Sequence, residues 1–335
     1  MKRLFFWVRL LLGMGLIGYL AYAADWDELR RSISVSSPLL LLLAYVIGMV
    51  DRVWMAYKWN ILLQARQIVL SLYEVTVTYL MSTFLGLFLP STVGGDAIRT
   101  FAVSRAGYSM ADVASTIVIE RVLGILALLL MVVVSIISGG ILIGGRYVED
   151  ITGLLWGVSI AAIIVGGLLA LSLSKSFEHS LRATLPKIPG WATDSKIGRL
   201  LSNLYNSYTE YRSQRGLLYT FFFYSFIENL FPIFWSYTLA RAFQLQISLL
   251  DCFIVVPSVL ILRRLPISID GIGVHQTAFV YLLSFLGVPS TQGLLLGVAT
   301  HLLATMLVLP GGLFYILKGF ELSQMVRSDP SALST

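Results

Sequence analysis

Two uncharged apolar runs, Val122 to Gly145 and Ile151 to Ser174, constrain this chain more than any other feature. A helix needs about 20 residues to cross a hydrocarbon core of about 30 Å, and each run is that long. Within hydrocarbon every backbone N–H and C=O must be satisfied inside the protein, so such runs fold as helices. The remainder of the 335 residues agrees: 57% are hydrophobic and 13% charged, against about a quarter charged in a globular domain. A soluble fold cannot hide that much apolar surface. The expected fold class is all-α, a polytopic membrane protein.

Several functions are excluded early. The single cysteine, Cys252, rules out an intramolecular disulfide and a thiolate metal cluster, and the three histidines show no short metal-ligand spacing. No P-loop, nucleophile elbow or metalloprotease motif occurs. No metal, cofactor or catalytic residue is therefore expected. The net charge of +6 is read as cytoplasmic loops of a membrane protein rather than as a nucleic-acid surface. Lys2, Arg3 and Arg9 precede Leu10 to Ala24, which resembles a signal peptide ending at Ala21-Tyr22-Ala23; the reading adopted is an uncleaved first helix.

A polar stretch, Asp25 to Ser37, leads to a span from Pro38 to about Tyr57. Leu72 to Leu89 is apolar enough to enter the membrane, but Pro90 stops it and Ser91 to Gly95 opens a helical stretch from Asp96 to Arg105. Spans follow at about Asp112 to Ile143 and Ile151 to Ser174. The polar insert Lys175 to Arg215 carries seven Lys/Arg and three Asp/Glu. Within it Ile197, Leu200, Leu201, Leu204 and Tyr208 recur at helical spacing, the pattern of an interfacial amphipathic helix; a solvated connector stays open as the other reading. Gly216 to Ala240 is a span interrupted at Glu228-Asn229 and kinked near Pro232. Leu249 to Leu262 runs into Arg263-Arg264 and Pro266 and returns from Gly271 to Leu286. A last helix, about Thr291 to Lys318, carries His301 and a Pro310-Gly311-Gly312 bend. Trp54, Tyr57 and Trp59 read as an interfacial aromatic belt.

The two broken segments share the pattern P-x-[ST]-[VI]-x-G-x-x-[IV]-[RH], in Pro90 to Arg99 and in Pro266 to His275. Paired interrupted segments are the sequence mark of a transporter's binding site. With the 175–215 insert and both termini on the cytoplasmic side, three full spans separate the hairpins (about 72–106 and 249–286), and an odd number inverts the second. The expectation is one transmembrane domain over 1–335, with about six full spans and two re-entrant hairpins related as an inverted repeat. Both helix amino termini would point inward, where Gly94, Gly95, Gly271 and Gly273 let an anionic head group approach the backbone.

Charges in apolar segments cost at least about 2.5–3.5 kcal/mol each at the bilayer centre, so the many here demand a polar interior. Asp96 and Arg99 are three apart and can pair on one helix face. Glu120-Arg121 opens the fourth span, where Arg121 can offer a bidentate phosphate contact. Asp270 and His275 mark the second break; with the four glycines and the first cluster they are the expected substrate-binding residues, Arg99 and Arg121 contacting phosphate and Asp96 and Glu120 positioning them. Arg52, Arg263 and Arg264 read as snorkelling residues.

At these residues the chain resembles the transmembrane, flippase-like part of the lysylphosphatidylglycerol synthase family. The points of likeness are Phe88 to Arg99, Glu120-Arg121 followed by Leu123-Gly124, Pro266 to Val274, and Leu309 to Gly312. Two departures stand out: Glu120-Arg121 replaces the usual Asp-Arg, and His275-Gln276 replaces the common Arg-Glu. The resemblance implies translocation of a phospholipid, aminoacylated lipid or polyprenyl-type carrier between leaflets. It implies no synthase activity, since full-length synthases append a soluble aminoacyl-transferase domain.

Two other readings stay open. One is a membrane-embedded enzyme or partner subunit acting on a polyprenyl-phosphate or glycolipid, with Glu120, Asp96 or His275 as acid/base groups. The other is a scaffold for a glycosyltransferase. The expected setting is a prokaryotic cytoplasmic membrane with both termini cytoplasmic.

Overall fold

A computed structural model describes residues 24–88, 94–143, 214–264 and 268–318, with 14–16, 18–20, 22 and 211 besides. The Ile151–Ser174 span, most of the 175–215 insert with its amphipathic pattern, most of the first helix, the two proline breaks (Pro90, Pro266) and the carboxyl-terminal tail lie outside those residues. Among the described residues every regular element is helical.

The order is α1 (Trp26–Ser34), α2 (Pro38–Gln64), α3 (Leu72–Gly86), α4 (Gly94–Ser104), α5 (Met110–Ile143), α6 (Arg215–Glu228), α7 (Leu230–Ala242) and α8 (Leu249–Arg263). A short 3-10 turn (Ile269–Gly271) leads to α9 (Val274–Ser284), α10 (Ser290–Met306) and α11 (Leu309–Lys318). Four stretches are long and apolar enough to cross a bilayer: Pro38–Gln64, Met110–Gly139, Gly216–Ala242 and Ser290–Leu317.

Most boundaries fall within a few residues of expectation. The break at Asn229 divides α6 from α7 as expected. Two places differ. Asp25 to Ser37 is not merely polar linker: Asp25 caps α1 by accepting from the Asp27 and Glu28 amides at 3.0 Å, and Asp27 and Glu28 sit in the first turn, where the helix dipole favours them. The span after it runs to Gln64, past the expected end at Tyr57, and takes in Lys58. That lysine is buried within α2, donating to Ser225 Oγ at 2.8 Å and lying over the Phe221 ring.

The chain divides into two compact units. One contains α3, α4, the start of α5, the end of α2, α6 and α11. Its core joins Trp59, Leu63, Ile68, Val75, Tyr79, Val113 and Ile117, all buried. The other contains α1, the start of α2, the end of α5, and α7 to α10. There α9 packs along α10 and α8, and α7 packs against α8 and α10.

Each unit contains a broken hairpin that starts in the same way. Before the first, α2 ends with Gln67 in the left-handed region (φ 57°) and the Ile68 amide donates back to the Leu63 carbonyl at 3.0 Å. Before the second, α7 ends with Gln244 at φ 54° and the Leu245 amide donates to the Ala240 carbonyl at 2.9 Å. These are Schellman endings, with Gln where glycine is usual. Four residues on, Ser71 and Ser248 begin α3 and α8 with capping boxes closed by Glu74 and Asp251. The proline motif repeat thus extends backwards into Q-[IL]-x-[LI]-S-L-x-[ED], a signal in the sequence that the motif comparison alone misses.

Candidate anion-binding site

In the first hairpin, Gly95 is where the two arms meet. A Cβ there would lie 3.0 Å from the Ser82 carbonyl oxygen and 3.9 Å from the Gly86 α-carbon, so only glycine lets α4 settle against α3. That closeness brings Arg99, one turn into α4, to Tyr79 on α3. The Arg99 guanidinium is sandwiched between the rings of Trp59 and Tyr79, each centroid 4.6 Å away. Its Nη2 donates to Asp96 Oδ1 at 2.9 Å, and its Nη1 forms an ion pair with Glu120 Oε2 at 2.9 Å. Tyr79 Oη donates to Glu120 Oε1 at 3.3 Å, and Trp59 Nε1 donates to Thr116 Oγ1 at 2.9 Å. Arg99 is 3% exposed. It is a buried cation held on every side.

Arg121 is different. Its Nε and Nη2 donate to the two carboxylate oxygens of Asp96 at 3.0 and 2.9 Å, a side-on bidentate pair. Yet 54% of its side chain is exposed. Nε and Nη2 are fixed on Asp96, while more than half of the side chain stays exposed. Asp96 Oδ1 serves both arginines, so two carboxylates and two guanidiniums form one neutral, interlocked group. Such a group fixes Arg121 in one orientation before any ligand arrives, which lowers the ordering cost of binding an anion.

The structure therefore brings Asp96, Arg99, Glu120 and Arg121 together as the sequence suggested. It adds Trp59 and Tyr79, which sequence reasoning did not assign. Trp59 is fully buried in this site rather than part of an interfacial belt. No local pattern announces either residue as a partner, because they lie 40 and 20 positions from Arg99 and meet it only through packing.

Asp270, Gly271, Gly273 and His275 belong to the second hairpin, in the other unit. Asp270, Gly271 and Gly273 have φ of 50°, 73° and 83°, so the chain reverses through left-handed backbone that glycine tolerates best. The Gly273 amide is already bonded to Gln276 Oε1 at 2.9 Å. Arg263, expected to snorkel, instead donates Nη2 to Asp270 Oδ1 and Oδ2 at 3.2 and 3.3 Å. His275 is buried, its Nε2 3.0 Å from Thr300 Oγ1. Among the described residues no three His, Cys, Asp or Glu side chains converge in a way that could hold a metal ion.

Long apolar helices, broken hairpins and a buried cluster of paired charges define an integral membrane protein with a polar site inside its membrane helices. The chain belongs to the family described as the lysylphosphatidylglycerol synthase TM region, whose model matches residues 6–312. A comparison with curated proteins returns no match.

Proposed function

We propose that this protein translocates an anionic lipid between the leaflets of a prokaryotic cytoplasmic membrane, the lipid being a phospholipid, an aminoacylated lipid or a polyprenyl-phosphate carrier. The observation that carries this reading is Arg121: a half-exposed guanidinium pinned by a neutral buried cluster in a membrane protein of a lipid-associated family. Its exposed part suits a phosphate oxygen, and a planar fork suits it better than a lysine would. Arg99, fully committed, acts through Asp96 and Glu120 to position Arg121. Gly95 then serves the helix contact that sets this geometry.

The two hairpins form an inverted repeat in this reading, each opening to one membrane face, with both termini cytoplasmic, and the lipid head group passes along a polar path that opens alternately to the two leaflets. No covalent step is assigned, because Asp96 and Glu120 are tied to guanidinium groups rather than poised for proton transfer. A lipid-modifying enzyme or glycosyltransferase supplies the substrate in this scheme.

The test is reconstitution in liposomes with fluorescent phosphatidylglycerol and polyprenyl-phosphate probes. Wild-type protein is expected to exchange at least one probe between leaflets faster than empty vesicles do, and Arg121→Ala to lose that exchange while remaining folded. Equal rates for wild type and Arg121→Ala would remove Arg121 from the mechanism, and no exchange of any probe would remove the transport reading.

A further inference from the structure

The second hairpin contains a group of polar atoms that the anion site does not use. Close packing assembles it. Gly297 on α10 has its α-carbon against α9, where a Cβ would stand 3.0 Å from the Gln276 α-carbon. One turn later, Thr300 and His301 reach the start of α9. The His275 and His301 rings are 5.7 Å apart, centre to centre. His301 Nε2 lies 4.0 Å from Asp270 Oδ2.

The hydrogen bonds of Thr300 favour one tautomer of His275. Thr300 has one hydroxyl hydrogen, and it is donated within α10 to the Leu296 carbonyl at 2.8 Å, shared with the Gly297 carbonyl at 3.1 Å. With the Thr300 hydrogen so placed its oxygen accepts from His275, whose Nε2 is then the N–H. In the neutral ring Nδ1 is then a bare lone pair. That Nδ1 is buried and has no hydrogen-bond partner, in a residue only 4% exposed. His301 Nδ1 is likewise buried without a partner. An unmatched buried polar atom is costly, and two on adjacent imidazoles mark a place where a partner or a proton belongs.

We propose that His275 and His301 form a proton-binding site, taking one proton from water onto Nδ1 of His275, and that this proton travels with the anionic substrate. The inference rests on the transport reading above. Among the described residues the charged groups facing the pair are Arg263 from α8 and Asp270 from the turn; α7 and α1, packed against α8 and α10, add none. At rest Asp270 is held by Arg263 at 3.2 Å. An anionic head group that draws Arg263 to itself leaves Asp270 as countercharge to an imidazolium on the histidine pair. Anion and proton then favour each other's binding, as linkage requires. Hydronium gives up the proton and Nδ1 gains it; the reverse step returns it to water on the far side, with no change of oxidation state.

Two measurements test this on the full chain. The first is a histidine-labelled NMR titration in lipid nanodiscs, feasible because the chain has three histidines. His179→Gln leaves only the pair. One protonation shared by the two rings is expected, with its midpoint moving to higher pH when the phosphatidylglycerol probe is added. Rings that both stay neutral down to about pH 5 with the probe present would overturn the proposal whether or not lipid moves. The second is leaflet exchange under an imposed pH gradient. One proton per monoanion predicts about tenfold probe asymmetry for each unit of gradient. His275→Gln, which keeps a nitrogen donor for Thr300 but has no lone pair to titrate, is expected to abolish that asymmetry; His301→Gln serves if the first variant does not fold. Exchange indifferent to the gradient sinks the coupling and leaves transport standing. Absence of all exchange sinks transport, and the titration alone then decides the proton site.

Discussion

Arg99 and Arg121 are the same residue type on successive helices, α4 and α5, but one is buried and the other half-exposed. Arg99 is buried among two carboxylates and two aromatic rings, so its removal strands Asp96 and Glu120 in a low-dielectric interior. Breaking a buried pair from one side costs about 3–5 kcal/mol. Arg99→Ala is therefore expected to lower the unfolding temperature in detergent sharply, whereas Arg121→Ala, half-exposed, is expected to leave it nearly unchanged and to act on exchange instead. Arg121→Lys separates charge from geometry: a lysine keeps the charge but not the side-on grip on Asp96, so exchange should fall well below wild type. Exchange by Arg121→Lys at the wild-type rate would mean that charge alone suffices.

At the scale of elements, the two hairpins are placed by capping and by close helix contact. Ser71→Ala and Ser248→Ala each remove a capping box, and each is expected to cost about 0.5–2 kcal/mol, read as a fall in thermal stability and faster amide exchange in the first turn of α3 or α8. Gly297→Ala puts a methyl against the α9 backbone, which cannot swing away as a side chain can. About 1–3 kcal/mol of overpacking is expected. The Thr300 hydrogen bond to His275 should loosen with it, visible as a shift of the His275 Nε2 resonance. Gly124→Ala, with nothing within 4 Å, is the matched control and should be neutral.

For the whole molecule the open question is which membrane face each hairpin meets. Single cysteines at Val69 and Gln246, both exposed just before α3 and α8, report it once Cys252 is replaced by alanine. An inverted repeat predicts that Val69→Cys is labelled from the cytoplasmic side and Gln246→Cys from the other by a membrane-impermeant thiol reagent. Labelling of both from one side would leave the repeat intact as a backbone pattern but abolish its inversion. The repeated Gln endings and Ser caps describe two similar hairpins and say nothing of the direction in which each enters the membrane.

Membrane residence, the helical class, most boundaries of the described spans and the four charges of the first site were legible in the sequence. These are local or periodic properties: an uncharged run must be a helix in hydrocarbon, and charges three apart share a helix face. What only tertiary structure decided is how those charges are used. The burial of Arg99, the grip of Asp96 on Arg121, the Trp59 and Tyr79 rings, and the Thr300 oxygen that meets the His275 ring all arise from contacts between residues 20 to 40 positions apart. Burial and hydrogen-bond direction depend on which helices pack together, and no spacing along a single helix encodes that.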